Sequence, residues 1–197
     1  MRLLFPTVIH EIQVKNIKSI KKELIDFVYD QQQRDPKGVT FSNVGGWQSQ
    51  PVYYEQKNIL SDTVSQSIGS YFDNNVLKFS HPDQLRVDGL WININRRGDS
   101  NLPHDHPLSN VAGVFWIKSP PGCGTLEFQS PHHFTSAAEM EMYTDDFREK
   151  TNSYSTYWIA PKEGTIALFP SSLVHRVREN QTDEDRISAS FNLQFYK

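Results

Sequence analysis

Ten consecutive residues near the C-terminus, Arg186-Ile187-Ser188-Ala189-Ser190-Phe191-Asn192-Leu193-Gln194-Phe195, alternate polar and apolar without interruption. Successive side chains of a strand point to opposite faces, so this run predicts one apolar face on a core and one polar face turned elsewhere. An ordinary half-buried strand gives its polar face to water. A strand that lines a cavity turns the same face inward. Arg186 then offers a planar fork of donors suited to a carboxylate, and Ser188 adds a hydroxyl from the same side.

The rest of the second half reads in the same way. Apolar or alternating runs over 86–95, 111–118, 125–128, 155–160, 165–169, 175–177 and 187–196 predict short strands, several of them separated by turns at 122–124 and 161–164. The first half differs. A weak strand over 7–14 precedes an amphipathic helix over 16–33, with Ile17, Ile20, Leu24, Phe27 and Val28 at helical spacing. A second helix over 61–77 buries Val64, Ile68, Tyr71 and Phe72. Between them, 35–57 is rich in Pro, Gly, Ser and Asn and reads as a long loop near a site mouth. The polar, acidic stretch 131–152 reads as a lid or as a solvated insertion. Two helices followed by many short strands predict an α+β, mainly β chain with a jelly-roll core and helices packed on one sheet. We expect a single domain over 1–197, with 1–83 as helical support and 84–197 as the core.

Three histidines fall beside the expected strands. His104 and His106, at i and i+2, point to one side of extended chain, and His175 follows the apolar run Thr165-Ile166-Ala167-Leu168-Phe169 and a Pro170-Ser171-Ser172 break. Two close ligands and one remote one occupy one face of an octahedron and leave the other positions open, the layout of a non-haem iron(II) oxygenase centre. His-x-His alone is a weak signal, since most histidines are surface or core residues. Its order ahead of His175 and of Arg186-x-Ser188 is what strengthens it. Strand alternation favours His106 over Asp105 as the second ligand. Asp105 remains the alternative if the loop bends, or a group that orients an imidazole.

Composition narrows the partners. A net charge of −3 gives no basic field for strong nucleic-acid binding. Cys123 is the only cysteine, which excludes an intramolecular disulfide and a cysteine-based zinc site, and its Pro120-Pro121-Gly122-Cys123-Gly124 setting reads as a tight turn around an incidental thiol. The opening Met1-Arg2-Leu3-Leu4-Phe5-Pro6 is too short an apolar run for a signal peptide, and no stretch is long enough to span a bilayer. The expected location is cytoplasmic, with no membrane partner.

In these motifs the chain resembles the iron(II)- and 2-oxoglutarate-dependent dioxygenases. The resemblance runs from about Arg86 to Tyr196 and rests on His104-x-His106, His175, then Arg186 and Ser188. Pro103-His-x-His-Pro107 followed by Ser109 and Gly113 is similar to a subgroup of oxygenases with mostly unassigned substrates. Asn93-x-Asn95-x-x-Gly98 is similar in spacing to the Asn-x-Tyr-x-x-Gly stretch of the nucleic-acid demethylase branch, with Asn95 where that branch has tyrosine. The resemblance implies a double-stranded β-helix, Fe(II) held by His104, His106 and His175, and 2-oxoglutarate held by Arg186 and Ser188 with Asn93 and Asn95 as further contacts. The departure is His106, where the family usually has Asp or Glu.

The expected activity is hydroxylation of a C–H bond in a protein side chain or small molecule, with dioxygen and 2-oxoglutarate as co-substrates. Trp47, Phe115, Trp116 and 131–152 are candidates for shaping the substrate pocket, core packing being the commoner fate of Phe115 and Trp116. Two rival readings are a three-histidine cupin-like metalloenzyme that does not use 2-oxoglutarate, and a non-catalytic jelly-roll binding module. Arg186 and Ser188 argue against both.

Overall fold

Alternation decides what each strand buries. The computed structural model describes residues 6–52, 57–74, 85–132 and 142–196. In chain order the elements are β1 (His10–Gln13), α1 (Ile17–Arg34), β2 (Asn43–Val44), β3 (Trp47–Gln48), α2 (Ile59–Asn74), β4 (Leu85–Asn95), β5 (Ser100–His104), β6 (Val111–Lys118), β7 (Leu126–Gln129), α3 (Asp145–Thr151), β8 (Thr156–Ile159), β9 (Thr165–Pro170), β10 (His175–Val177) and β11 (Arg186–Phe195). The strands form two antiparallel sheets, one of six strands ordered β1-β9-β6-β11-β4-β3 and one of five ordered β2-β5-β10-β7-β8. This is the mainly β jelly roll expected, with helices on one sheet.

The two faces of the six-stranded sheet serve different purposes. Ile187, Ala189, Phe191 and Leu193 of β11, Leu90, Ile92 and Ile94 of β4, and Phe115 and Ile117 of β6 pack under Leu24 and Val28 of α1 and Leu60, Val64, Ile68 and Phe72 of α2. The intervening residues of β6, Ala112, Val114 and Trp116, point between the sheets and meet Leu126 and Phe128 of β7. Arg186, Ser188, Ser190 and Asn192 lie on that inter-sheet side too, so the polar face of β11 lines a cavity rather than meeting solvent. Among the described residues no helix is long and apolar enough to cross a membrane.

The structure departs from these expectations in three places. The chain turns at Arg96–Asp99, where Arg96 N–H donates to Asp99 Oδ2 at 2.6 Å, before a separate strand β5 carries His104. Pro103 inside that strand hides it, because proline removes a ladder donor. The 35–57 stretch contains β2 and β3, short pieces that pair with β5 and β4. Within 131–152, residues 142–152 include helix α3, capped by the Thr144 hydroxyl accepting from Phe147 N–H at 3.3 Å and stopped by Asn152 at φ 50°; a lid over 133–141 lies outside the described residues.

Gly113 sits where β6 runs between β9 and β11, opposite Leu168 and Phe191. A Cβ there would lie 2.3 Å from two ring carbons of Phe191 and 2.9 Å from Leu168 Cδ2. Gly113→Ala is expected to lower stability by about 1–3 kcal/mol through overpacking. Adding Phe191→Leu should make the Ala step cost less than it does alone. Urea unfolding of the four variants checks this, and an unchanged midpoint for Gly113→Ala would refute the packing account.

Candidate metal centre

Pairing of β5 with β10 sets His104 directly opposite His175. His106 lies just past the end of β5, yet it is not loose. Its N–H donates to Ser171 O at 2.8 Å, Ser171 N–H donates to Asn110 O at 3.2 Å, and the Ser171 hydroxyl donates to Ser109 O. The corner after His104 is thereby stitched to the Pro170–Ser172 corner that precedes His175.

The three imidazoles converge. Ring centroids are 4.4 Å apart for His104 and His175, 5.2 Å for His106 and His175, and 5.3 Å for His104 and His106. One ring nitrogen from each lies within 4.8 Å of the others. Asp105 is exposed and outside this group. Each Nδ1 faces an oxygen: Leu102 O at 2.7 Å from His104, Leu173 O at 2.9 Å from His175, and Asn192 Oδ1 at 2.5 Å from His106. Carbonyl and amide oxygens only accept, so Nδ1 carries the proton and Nε2 keeps its lone pair for a metal. Burial, together with the neighbouring imidazoles, pushes the His175 pKa down to about 3 and that of His104 below its ordinary value, so both are neutral at physiological pH.

Arg186 stands on the wall of the same cavity, which measures about 1010 Å³. It is 1% exposed. Its Nη1 donates to the carbonyls of Cys123 and, at 3.0 Å, Arg178, while Nη2 is buried with no protein acceptor. Burial lowers its pKa to about 10, which leaves it charged. Across the sheet Arg186 pairs with Asn95, and Ser188 with Asn93 and Trp116. Asn93 and Asn95 are buried on the cavity wall, Asn93 Nδ2 donating to Ser190 Oγ at 3.1 Å.

All seven residues singled out in the sequence, His104, His106, His175, Arg186, Ser188, Asn93 and Asn95, therefore line one cavity. Of the pocket-shaping residues, Trp116 lines it as well as packing between the sheets, whereas Trp47 and Phe115 belong to the core beneath the helices. Trp47 is buried because its indole N–H donates to Asp35 O at 2.8 Å, folding the 35–57 stretch inward; its neighbours Phe41, Ser42, Gln48, Ser49, Pro51 and Val52 do reach the cavity. Sequence reasoning missed three supports. The Cys123 turn supplies a carbonyl to Arg186. Asn180, fully buried, donates to Asn95 O and Glu184 O at 2.9 and 2.8 Å and so fixes the approach to β11. Asn192 carried a signal, since it falls on the polar face of β11.

Comparison with known proteins fits this geometry. Residues 89–192 match a family described as "Putative 2OG-Fe(II) oxygenase", a span of more than half the chain that contains all seven residues. No curated protein matches the chain in sequence. Among solved structures the fold is similar to a prolyl-4-hydroxylase from Pseudomonas putida (10% identity, TM-score 0.63, 96% of this chain and 93% of that one). It is similar too to a viral collagen prolyl hydroxylase from Paramecium Bursaria Chlorella virus-1 in its 2-oxoglutarate complex (13% identity, TM-score 0.61, 95% and 96%). HygX from Streptomyces hygroscopicus, with nickel, 2-oxoglutarate and hygromycin B bound, is a third (11% identity, TM-score 0.62, 95% and 83%). Identities this low speak for the fold alone. The family match over 89–192 carries the activity, and by it the chain belongs to the 2OG-Fe(II) oxygenases.

Proposed function

We propose that this oxygenase hydroxylates a protein side chain or small molecule, with His104, His106 and His175 as the Fe(II) ligands and Arg186 and Ser188 as the seat of the distal carboxylate of 2-oxoglutarate. The observation that carries the reading is Arg186: a fully buried guanidinium whose Nη2 has no partner, with no acidic side chain paired to it among the described residues. A buried charge left unpaired is strongly unfavourable, so the site is built for an anionic ligand. A three-histidine enzyme that works without 2-oxoglutarate would leave that cation unused.

The residues present fit both groups. Three imidazole nitrogens suit Fe(II). Arg186 and Ser188 answer one carboxylate, with Asn93 and Asn95 as further polar contacts. Fe(II) held there would let dioxygen act as the oxidant, one oxygen atom entering the substrate C–H bond and the other the succinate formed as 2-oxoglutarate loses carbon dioxide. The protein's part is to hold, orient and shield. Trp116, Leu126 and Phe169, all nearly buried, give the cavity apolar walls that limit water near the centre. At the mouth Phe41, Leu102 and Leu108 are 77%, 56% and 88% exposed, a rim that favours a substrate with an apolar portion.

Anaerobic titration of the Fe(II)-loaded protein with 2-oxoglutarate, followed by the visible absorption of a chelated keto acid, tests the reading. Wild type is expected to show the band. Arg186→Ala should weaken 2-oxoglutarate binding by roughly 2–5 kcal/mol, about 30-fold or more, while still binding iron. Iron bound in wild type with no band at saturating 2-oxoglutarate would defeat the assignment of Arg186.

Neutral ligands also make metal-free stability pH-dependent. The folded pKa of His175 is about 3 against an ordinary 6.5. Between those values the unfolded chain binds a proton that the folded chain does not, so the stability contribution is complete above about 6.5 and declines as pH falls towards 3. At about 1.4 kcal/mol per pH unit, the loss from neutrality to about pH 5 is roughly 2 kcal/mol. Urea unfolding in chelator at the two pH values should show it in wild type. His175→Gln should show a visibly smaller pH effect; an equal one would place the titration elsewhere.

A further inference from the structure

The three imidazoles are oriented by different kinds of group. For His104 and His175 the Nδ1–H donates to the backbone carbonyl two residues earlier, which any sequence would provide. For His106 it donates to a side chain eighty-six residues away, Asn192 on β11. Asn192 is placed for this by the alternation of β11, which sets it on the cavity side with Arg186, Ser188 and Ser190, beside an irregularity in β4. Phe191 pairs with Leu90 but Leu193 pairs with Val87, so two residues of β4, Asp88 and Gly89, face Asn192 alone. On its other edge Asn192 keeps regular register with Ala112 of β6.

We infer that Asn192 is a positioning residue for the metal centre: its amide oxygen fixes both the tautomer and the ring orientation of His106. The inference rests on His106 being a ligand, as proposed above. Asn192 is the one support among the three that substitution can remove. It matters most at His106, because that residue lies beyond the end of β5 and has no strand ladder to hold its ring. The Oδ1 is the amide atom facing Nδ1, which commits the ring to Nδ1–H and turns the Nε2 lone pair to the metal. The neutral amide also leaves the ligand set uncharged, whereas a carboxylate at 192 would strengthen the imidazole as a donor.

The test is anaerobic calorimetric titration of the metal-free protein with Fe(II), with Co(II) as an air-stable second probe, alongside urea unfolding in chelator. Asn192→Leu keeps the volume and removes the acceptor; Asn192→Asp keeps the acceptor and adds charge. Metal affinity is expected to fall about 10–100-fold in Asn192→Leu and to return to wild-type strength or beyond in Asn192→Asp. In a His106→Ala background, Asn192→Leu should change affinity no further. Wild-type affinity in Asn192→Leu overturns the inference, as does an equal loss in Asn192→Asp, which would mark a packing role. A wild type that binds neither metal would overturn the ligand assignment itself, and this inference with it.

Discussion

A guanidinium sealed in a protein interior needs acceptors for its donors and a counter-charge, and among the described residues Arg186 satisfies one nitrogen with carbonyls, leaves another without an acceptor and forms no ion pair. Nη1 donates to two backbone carbonyls, Cys123 O and Arg178 O; Nη2 meets no acceptor among the described residues. The architecture around it follows from that need. The turn at 120–124 exists in a shape that aims the Cys123 carbonyl inward, with Gly124 at φ +87° where a Cβ would strike Arg178 O at 2.3 Å. Asn180 clamps the chain between β10 and β11 so that β11 begins with Arg186 on the cavity side. Removing water from the cation strengthens its attraction for an anion and makes the empty state less favourable. A cation held in this way would favour the carboxylate proposed for it.

How much of this the sequence exposed depends on whether a feature is local. β6 and β9 were legible as the continuous apolar runs that burial on both faces produces, and β11 as an alternating strand whose polar face, from Arg186 to Asn192, could be assigned to a cavity once His104, His106 and His175 supplied a reason for one. Helix α1 was legible from its apolar spacing. Local signals existed for α3 too, in Thr144 followed by Asp145 and Asp146, but lay inside a stretch dominated by polar residues. β5 was hidden by Pro103, and β2 and β3 are two residues each, too short to carry a period.

What no local pattern could reveal are contacts made across the sequence. Cys123 looked incidental because its function resides in its carbonyl rather than its thiol. Trp47 sat in a glycine-rich segment that reaches the site, yet its indole N–H found Asp35 O and its ring joined the core. Asn180 is informative only when Asn95 and Glu184 are placed beside it. In each case the deciding partner is supplied by topology.

In the site proposed above, the absence of a carboxylate from the histidine cluster would link the metal and the co-substrate electrostatically. Asp105 is exposed and acts on His104 only as a nearby charge, so among the described residues no carboxylate joins the imidazole cluster itself. The burial that depresses the His175 and His104 pKa values keeps those rings neutral and free to donate, so protons compete weakly with a metal there. A dianionic co-substrate lying between the imidazoles and Arg186 would meet positive charge at both ends. In such an arrangement each partner improves the site for the other: iron without the dianion keeps its whole charge, and Arg186 without it keeps an idle donor. With His106 as the proposed ligand in place of an acid, the burden of charge balance would pass from the protein to 2-oxoglutarate, and the co-substrate would become part of what holds the centre together.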